Sequence, residues 1–399
     1  MTFRTWTVLV LFVLVSGNVR AQDTAPRVRA VTVSPDGKLF AACAGRDNER
    51  GALTVWDTAT RKSRFTHNGP NVIFGIAFSP DSKSIAIGES KGVAQLLDTN
   101  TGRSKRTFSG HTKDVFSVAF SPDGKTLATG SGDRTIKIWD VHSGAELRSI
   151  GGSNDHVLSV AFSPDGKLIV AACGGDGARL LDGRTGNEKH HWRHGGFYNR
   201  GAFFADNQWV LTGGYDGTVR LWNADSGELR ARFEGMGGVD GLAFSEPARL
   251  IAVCSRDRTF QLRNFTLEKA TELERRRIGE LLNAFDDDSF PVREKASKEL
   301  LQIGFLAEAD LRRAMKESVS AESRIRARRV RAEMLSQPKA VLETENGQID
   351  CVAFSRDGKL VVTGGRDGLV RVWDVAGAKE IVRFAVDNSA ASVNDALKP

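Results

Sequence analysis

Along most of the chain, apolar and polar residues alternate in short runs, and each run ends at a cluster of Gly, Pro, Asp or Ser. Alternation with period two marks a strand that buries one face. The clearest stretch reads as four strands in succession, at 115–121, 125–130, 135–140 and 146–150. Pro122-Asp123-Gly124 separates the first two, Gly132-Asp133-Arg134 the next two, and Ser143-Gly144 the last. Proline presets φ for a turn and glycine accepts the left-handed position that closes it. Turns this short join only antiparallel neighbours, so the stretch predicts a four-stranded meander.

The meander repeats. Val-Ala-Phe-Ser-Pro-Asp-Gly-Lys stands at 118–125 and again at 160–167, with variants at 31–38, 76–83 and 352–359 and weaker copies near Phe203 and Phe244. Anchors at Val33, Phe78, Phe120, Phe162, Phe203 and Phe244 recur every 41 to 45 residues, and Phe354 follows the sixth by 110. One period plus an insertion of about 70 residues fills that gap. A lone meander cannot cover both its faces; seven set radially cover one another and leave only short edges.

Several third strands end in Trp-Asp or a close variant: Val55-Trp56-Asp57, Ile138-Trp139-Asp140, Leu221-Trp222-Asn223 and Val372-Trp373-Asp374. Recurring in register, they resemble the WD-repeat (WD40-type) β-propeller family over residues 27–384, with one interruption. The resemblance implies an all-β fold: a seven-bladed β-propeller with a small all-α insertion in blade six. It also implies a hydrogen-bonded brace of histidine, strand hydroxyl, turn aspartate and tryptophan. His111, Thr129, Asp133 and Trp139 match it fully, and the fourth copy retains His156 and Asp176 but has Leu181 for the tryptophan. The second copy has Lys91 at the aspartate, and the sixth ends Arg263-Asn264. First and seventh copies each hold four strands, so the ring is expected to close without the strand exchange usual in the family.

Between the sixth and seventh anchors the period changes to that of helices. Ile278, Leu281, Leu282 and Phe285 share one helix face; Val292, Ala296, Leu300 and Ile303 share a second, from Ser289-Phe290-Pro291 to Gly304. Leu306, Leu311 and Met315 mark a third helix, and Ile325, Val330 and Leu335 a fourth before Pro338. The pattern looks similar to a HEAT-type helical pair. It falls where the last turn of blade six belongs, on the face opposite the family's usual binding face, and is expected to protrude there. The expected domains are 1–21 signal peptide, 27–265 blades one to six, 266–338 insertion, 339–384 the end of blade six with blade seven, and 385–399 tail.

The signal peptide rests on Arg4, the apolar run 6–15 and the small residues Ser16-Gly17 and Ala21. Such an apolar core is short for a bilayer span, so a secreted or periplasmic protein with no membrane span after cleavage is expected. Cys43, Cys173, Cys254 and Cys351 lie far apart in strands, which suits unpaired core thiols better than metal ligands. A net charge of +7 raises the prospect of acidic partners.

The phosphate-cradling GxxxxGK[ST] motif is missing. His190-His191-Trp192-Arg193-His194 is the best metal candidate, yet adjacent strand histidines point to opposite faces. Asp286-Asp287-Asp288 precedes a helix, where acids complement the dipole. The run from Arg324 to Arg331 could grip phosphates, but acids are nearly as frequent nearby and no aromatic residues interleave, so nucleic acid is disfavoured. No cofactor and no metal is expected, and the chain is not expected to be an enzyme.

The resemblance places a candidate partner-binding rim at the start of each inner strand: Arg29, Phe74, Phe116, Leu158, Asn199, Asp240 and Asp350, with Arg46, Tyr215, Arg256 and Arg366 before the turn aspartates. Phe74, Phe116 and Leu158 would form an exposed apolar crescent, or else pack between blades. The leading expectation is a monomeric scaffold for other proteins or peptides. The alternatives are an enzyme working in the central channel, against which stand the small inner residues Ala30, Gly75, Ser117, Ser159, Gly241 and Cys351, with only Arg200 charged, and a binder of anionic polymer through the arginine-rich helix.

Overall fold

The computed structural model describes residues 26–46, 50–193, 199–204, 206–234, 236–266, 270–318, 320–336, 338–343 and 348–386, and side chains in all of these except 199–204 and 343. The signal segment and residues 387–399 lie outside the described residues. Twenty-eight strands form seven four-stranded antiparallel sheets, each from consecutive strands. The blades span 27–68, 73–109, 115–150, 157–192, 199–233, 239–343 and 349–385. Inner strands are buried along their length, as in Val115–Phe120 and Val157–Phe162, whereas outer strands such as Ser104–Ser109 are mostly exposed. Apolar runs therefore mark the inner strands, and alternating runs the outer ones.

Neighbouring blades meet through a repeated contact. A Cβ on Gly130, in the second strand of blade three, would lie 2.7 Å from Val157 Cγ1 at the start of blade four. Gly88 receives Val115 and Gly213 receives Val239 in the same way. Gly364 of blade seven receives Val28 of blade one, so the ring closes on the contact that builds it. Closure uses no strand exchange: Lys379–Ala385 belongs to blade seven, and its Phe384 packs 5.6 Å from Phe40 and 5.7 Å from Trp56 of blade one. Arg27 adds an ion pair to Asp350 at 2.5 Å.

The insertion joins Thr259–Asn264 to Ala340–Glu343, which pair with each other as third and outer strands of blade six. It comprises α1 (Glu272–Asn283), α2 (Phe290–Ile303), α3 (Glu308–Glu317) and α4 (Ala321–Ser336) around a core of Ile278, Leu281, Phe285, Ala296, Leu300, Leu311 and Val330. Val292 and Ile325 instead face solvent, at 40% and 62% exposure. Thr271 closes a capping box with Glu274 at α1.

The expectation of a protruding module is corrected: the helices dock sideways on blade five. Phe305 stacks 5.8 Å from Phe233 of that blade and 4.8 Å from Phe265, and fully buried Glu308 joins Arg230 of blade five to Arg331 of α4. Arg263 occupies the position that the tryptophan fills elsewhere; it donates to the Leu335 and Ser336 carbonyls at 3.1 and 3.0 Å and to Gln261 Oε1 at 2.7 Å. A buried cation thus caps the C-terminal end of α4. Burial pulls its pKa down to about 10.

Three outcomes are expected in urea unfolding. Gly364→Ala should cost about 1–3 kcal/mol by overpacking the ring closure, whereas Gly279→Ala, in open space within α1, should gain up to about 1 kcal/mol. Arg263→Met, which orphans two buried carbonyls, should cost about 2–4 kcal/mol and speed proteolysis within the insertion.

Candidate interaction face

Every inner strand carries a β-bulge near its start. The register skips one residue between Val28 and Ala30, Ile73 and Gly75, Val115 and Ser117, Val157 and Ser159, Asn199 and Gly201, Val239 and Gly241, and Ile349 and Cys351. A bulge leaves its residue out of the ladder and re-aims it. The residues so released are Arg29, Phe74, Phe116, Leu158, Arg200, Asp240 and Asp350. Six were anticipated from the repeat. Asn199 was not placed correctly, since it pairs with Gly214 and the equivalent position in blade five is Arg200.

This ring lies on the face that carries the turns between second and third strands and the loops between blades. Its described side chains are buried rather than displayed. Phe74, Phe116 and Leu158 form one cluster with Val72 and are no more than 8% exposed, which corrects the expectation of an exposed crescent. Blade twist brings consecutive bulges together: Phe74 and Phe116 meet edge to face at 5.4 Å, and Arg29 lies 5.1 Å over Phe74. Blades six and seven bury charge instead. Asp350 holds Arg27 and, at 3.3 Å, Arg366; Asp240 pairs with Arg256 at 3.6 Å and accepts from Gln348. Arg256 also covers the Tyr215 ring at 4.2 Å. Arg46 is exposed on the same face.

In blade three, His111 Nδ1 lies 2.8 Å from Asp133 Oδ2 and Nε2 2.7 Å from Thr129 Oγ1, to which Trp139 Nε1–H donates at 2.8 Å. Burial lowers the His111 pKa against the pull of Asp133. Burial would raise the Asp133 carboxyl, but bonds from Thr135, the Thr112 N–H and His111 outweigh it and hold the pKa at about 2. An ionised Asp133 only accepts, so Nδ1 carries the proton and Nε2 accepts from Thr129.

Other blades satisfy the turn aspartate differently. Arg220 binds Asp216 at 2.6 Å and Arg371 binds Asp367 at 2.5 Å, while Trp222 and Trp373 keep their bonds to Thr212 and Thr363. Asp-Gly-x-Val-Arg at 216–220 and 367–371 was the signal for this substitution, and it was missed. In blade four, Asn154 binds Asp176 through its backbone and side chain; the ring of His156, expected there, lies 5.8 Å from Phe116 instead. His156 stands three residues past the position equivalent to His111.

The remaining candidate chemistry is engaged in structure. His190 Nε2 bonds the Asp225 carbonyl at 3.0 Å, His191 Nε2 bonds the Asp176 carbonyl, and His194 lies outside the described residues. Among the described residues no cluster of three His, Cys, Asp or Glu side chains is placed to hold a metal ion, and no helix is long and apolar enough to cross a membrane. On α4, Arg326 and Arg329 pair with Glu294 at 2.5 and 2.7 Å and Arg331 with Glu308 at 2.9 Å, so most of the arginine-rich run is neutralised within the insertion. All four cysteines are buried and unpaired; burial pushes the Cys43 thiol up to about 12 and Cys173 to about 11.

Seven bulged inner strands, turn aspartates and a tryptophan–threonine bond within blades define a WD-type propeller. Consistent with this, the family model described as IFT122 first beta-propeller matches residues 72–280, more than half of the chain, and the WD domain, G-beta repeat matches 16–57 and 336–374. The chain belongs to the WD-repeat β-propeller family, whose propellers generally act as protein-interaction scaffolds. The second repeat match resumes at the end of α4. No curated protein matches the chain.

His111→Ala is expected to cost about 1–3 kcal/mol at pH 7, since Thr129 and Asp133 each lose a buried partner. The folded His111 pKa lies below the ordinary value of 6.5, so the unfolded chain takes up this proton first as pH falls. The His111 contribution is complete above about pH 6.5 and declines below it. Urea midpoints of wild type and variant should therefore converge between pH 7 and pH 5; a constant gap would contradict the lowered pKa of His111.

Proposed function

We propose that this protein is a non-enzymatic, exported scaffold that engages a partner protein on the face bearing the bulge ring. The observation that carries the reading is the construction of that face. Seven blades hold adjacent loops, and in blades three to seven a turn aspartate binds the loop backbone, so the surface is pre-organised and loses little entropy on binding. The opposite face is partly committed, since the insertion leaves from it and docks along blade five.

A channel enzyme is less well supported. The inner-strand residues Ala30, Gly75, Ser117, Ser159, Gly241 and Cys351 are small and offer no general acid or base beside a nucleophile. Binding of an anionic polymer through α4 is weakened by the ion pairs of Arg326, Arg329 and Arg331. Export is supported by the apolar run 6–15 and the small residues after it, and requires a mature N-terminus at Gln22 in the exported fraction.

Bulky maleimide labels test the interface, because the native thiols are buried. Exposed Lys113 and Arg258 lie on the loop face, and exposed Lys125 and Lys359 on the other. Polyethylene-glycol label on Lys113→Cys or Arg258→Cys should abolish capture of the protein's partner from the exported fraction, whereas label on Lys125→Cys or Lys359→Cys should not. The reverse pattern would place the interface on the wrong face.

A further inference from the structure

We propose that Glu89 makes the junction between blades one and two a pH-sensitive latch, closed while its carboxyl is protonated and loosened when it ionises. Glu89 ends the second strand of blade two, opposite Ile73, the residue before the bulge. The same register position holds Ala44, Ser131, Cys173, Gly214, Ser255 and Gly365 in the other blades. Six blades thus place a small side chain there, and one places a carboxyl. That carboxyl is fully buried. Oε2 accepts from Gln95 Nε2 at 2.8 Å, whereas among the described residues Oε1 has no hydrogen-bond partner. Oε1 lies beside Gly69 in the link between the blades, where a Cβ would stand 3.0 Å from it and 3.7 Å from His67 Nε2, also without a partner.

A charge on this carboxyl finds no counter-ion. Among the described residues no lysine or arginine pairs with Glu89 and no charged group weighs on its protonation; burial raises its pKa, against the pull of the Gln95 and Asn71 amides. The charged and titratable neighbours are His67 on the outer strand of blade one, Arg50 before its third strand and Lys91 in the turn after Glu89. Burial pushes the His67 pKa down, which keeps the ring uncharged above its ordinary value of 6.5. Arg50 and Lys91 are exposed, and the Lys91 N–H is bound by Asp114. An unpaired carboxylate is far costlier to bury than a carboxylic acid, so the group takes up a proton instead. With Gln95 donating to Oε2, that proton belongs on Oε1.

The latch acts on the segment packed against it. Ser90, next to Glu89, donates its N–H to the Val72 carbonyl at 2.9 Å and accepts from the Val72 N–H through its hydroxyl at 3.2 Å. Val72 belongs to the buried cluster of Phe74, Phe116 and Leu158. Asn71 and Gly69 are tied in turn to Gly51 of blade one, at 2.9 and 3.0 Å. An ionised Glu89 draws water beneath this link and loosens residues 69–74 from both blades. Because folding raises the Glu89 pKa, its stabilisation is complete below the ordinary value of 4.5 and is lost as pH rises through the folded value.

Glu89→Gln keeps the shape of the side chain without its ionisation, and amide hydrogen exchange of the full chain at pH 5 and pH 8 reads the difference. Taking the ratio of wild type to variant at each pH removes the intrinsic pH dependence of exchange and the opposite trend of His111. Over residues 69–74 that ratio should rise at least about fivefold from pH 5 to pH 8. Infrared spectra of wild type minus variant should show a protonated carboxyl at pH 5 that is lost as pH rises. Gln95→Leu keeps the test open should Glu89→Gln fail to fold: without a donor that favours the charged form, loosening should move to higher pH. A ratio that does not change with pH, no protonated carboxyl assignable to Glu89 at pH 5, or loosening at lower pH in Gln95→Leu would overturn the inference.

Discussion

A four-stranded sheet of this size has two apolar faces and no means of covering them alone. The contact that solves this is small: the first inner-strand valine of one blade sits where the preceding blade has glycine. Val28 on Gly364, Val115 on Gly88 and Val157 on Gly130 repeat the same fit. A methyl group at any of those glycines would enter occupied space, so the angle between blades is set by hard contact rather than by adhesion. Closure then needs no borrowed strand, because blade seven reaches blade one through the same fit, the Arg27–Asp350 pair and Phe384.

The bulges follow from that packing and decide what the face can do. Each releases one side chain at the end of the inner strand where the neighbouring blade is closest. In blades two to four these side chains are apolar and interlock. In blades six and seven they are aspartates that draw arginines over themselves.

The insertion shows how a local loss of the family pattern is compensated. Blade six has no tryptophan at its brace position, and Arg263 there caps α4 instead. Glu308 and Phe305 anchor the helices to blade five, so the insertion buttresses the outer wall. In place of the signature tryptophan, Arg263 thus holds the end of the element inserted in the same blade.

Repeat number, strand order within blades, the place of the insertion and the complete brace of blade three were legible from the residues, because they depend on local periodicity and on turn chemistry. Burial of Phe74, Phe116 and Leu158, the shift from Asn199 to Arg200, the displacement of His156 and the docking of the helices on blade five were not. Those depend on which side chain a bulge releases and on what the next blade brings to meet it. Such neighbours stand about forty residues away in the chain and only a few ångströms away in space. Alternation along a strand fixes which residues turn inward; only closure of the ring determines what they turn toward.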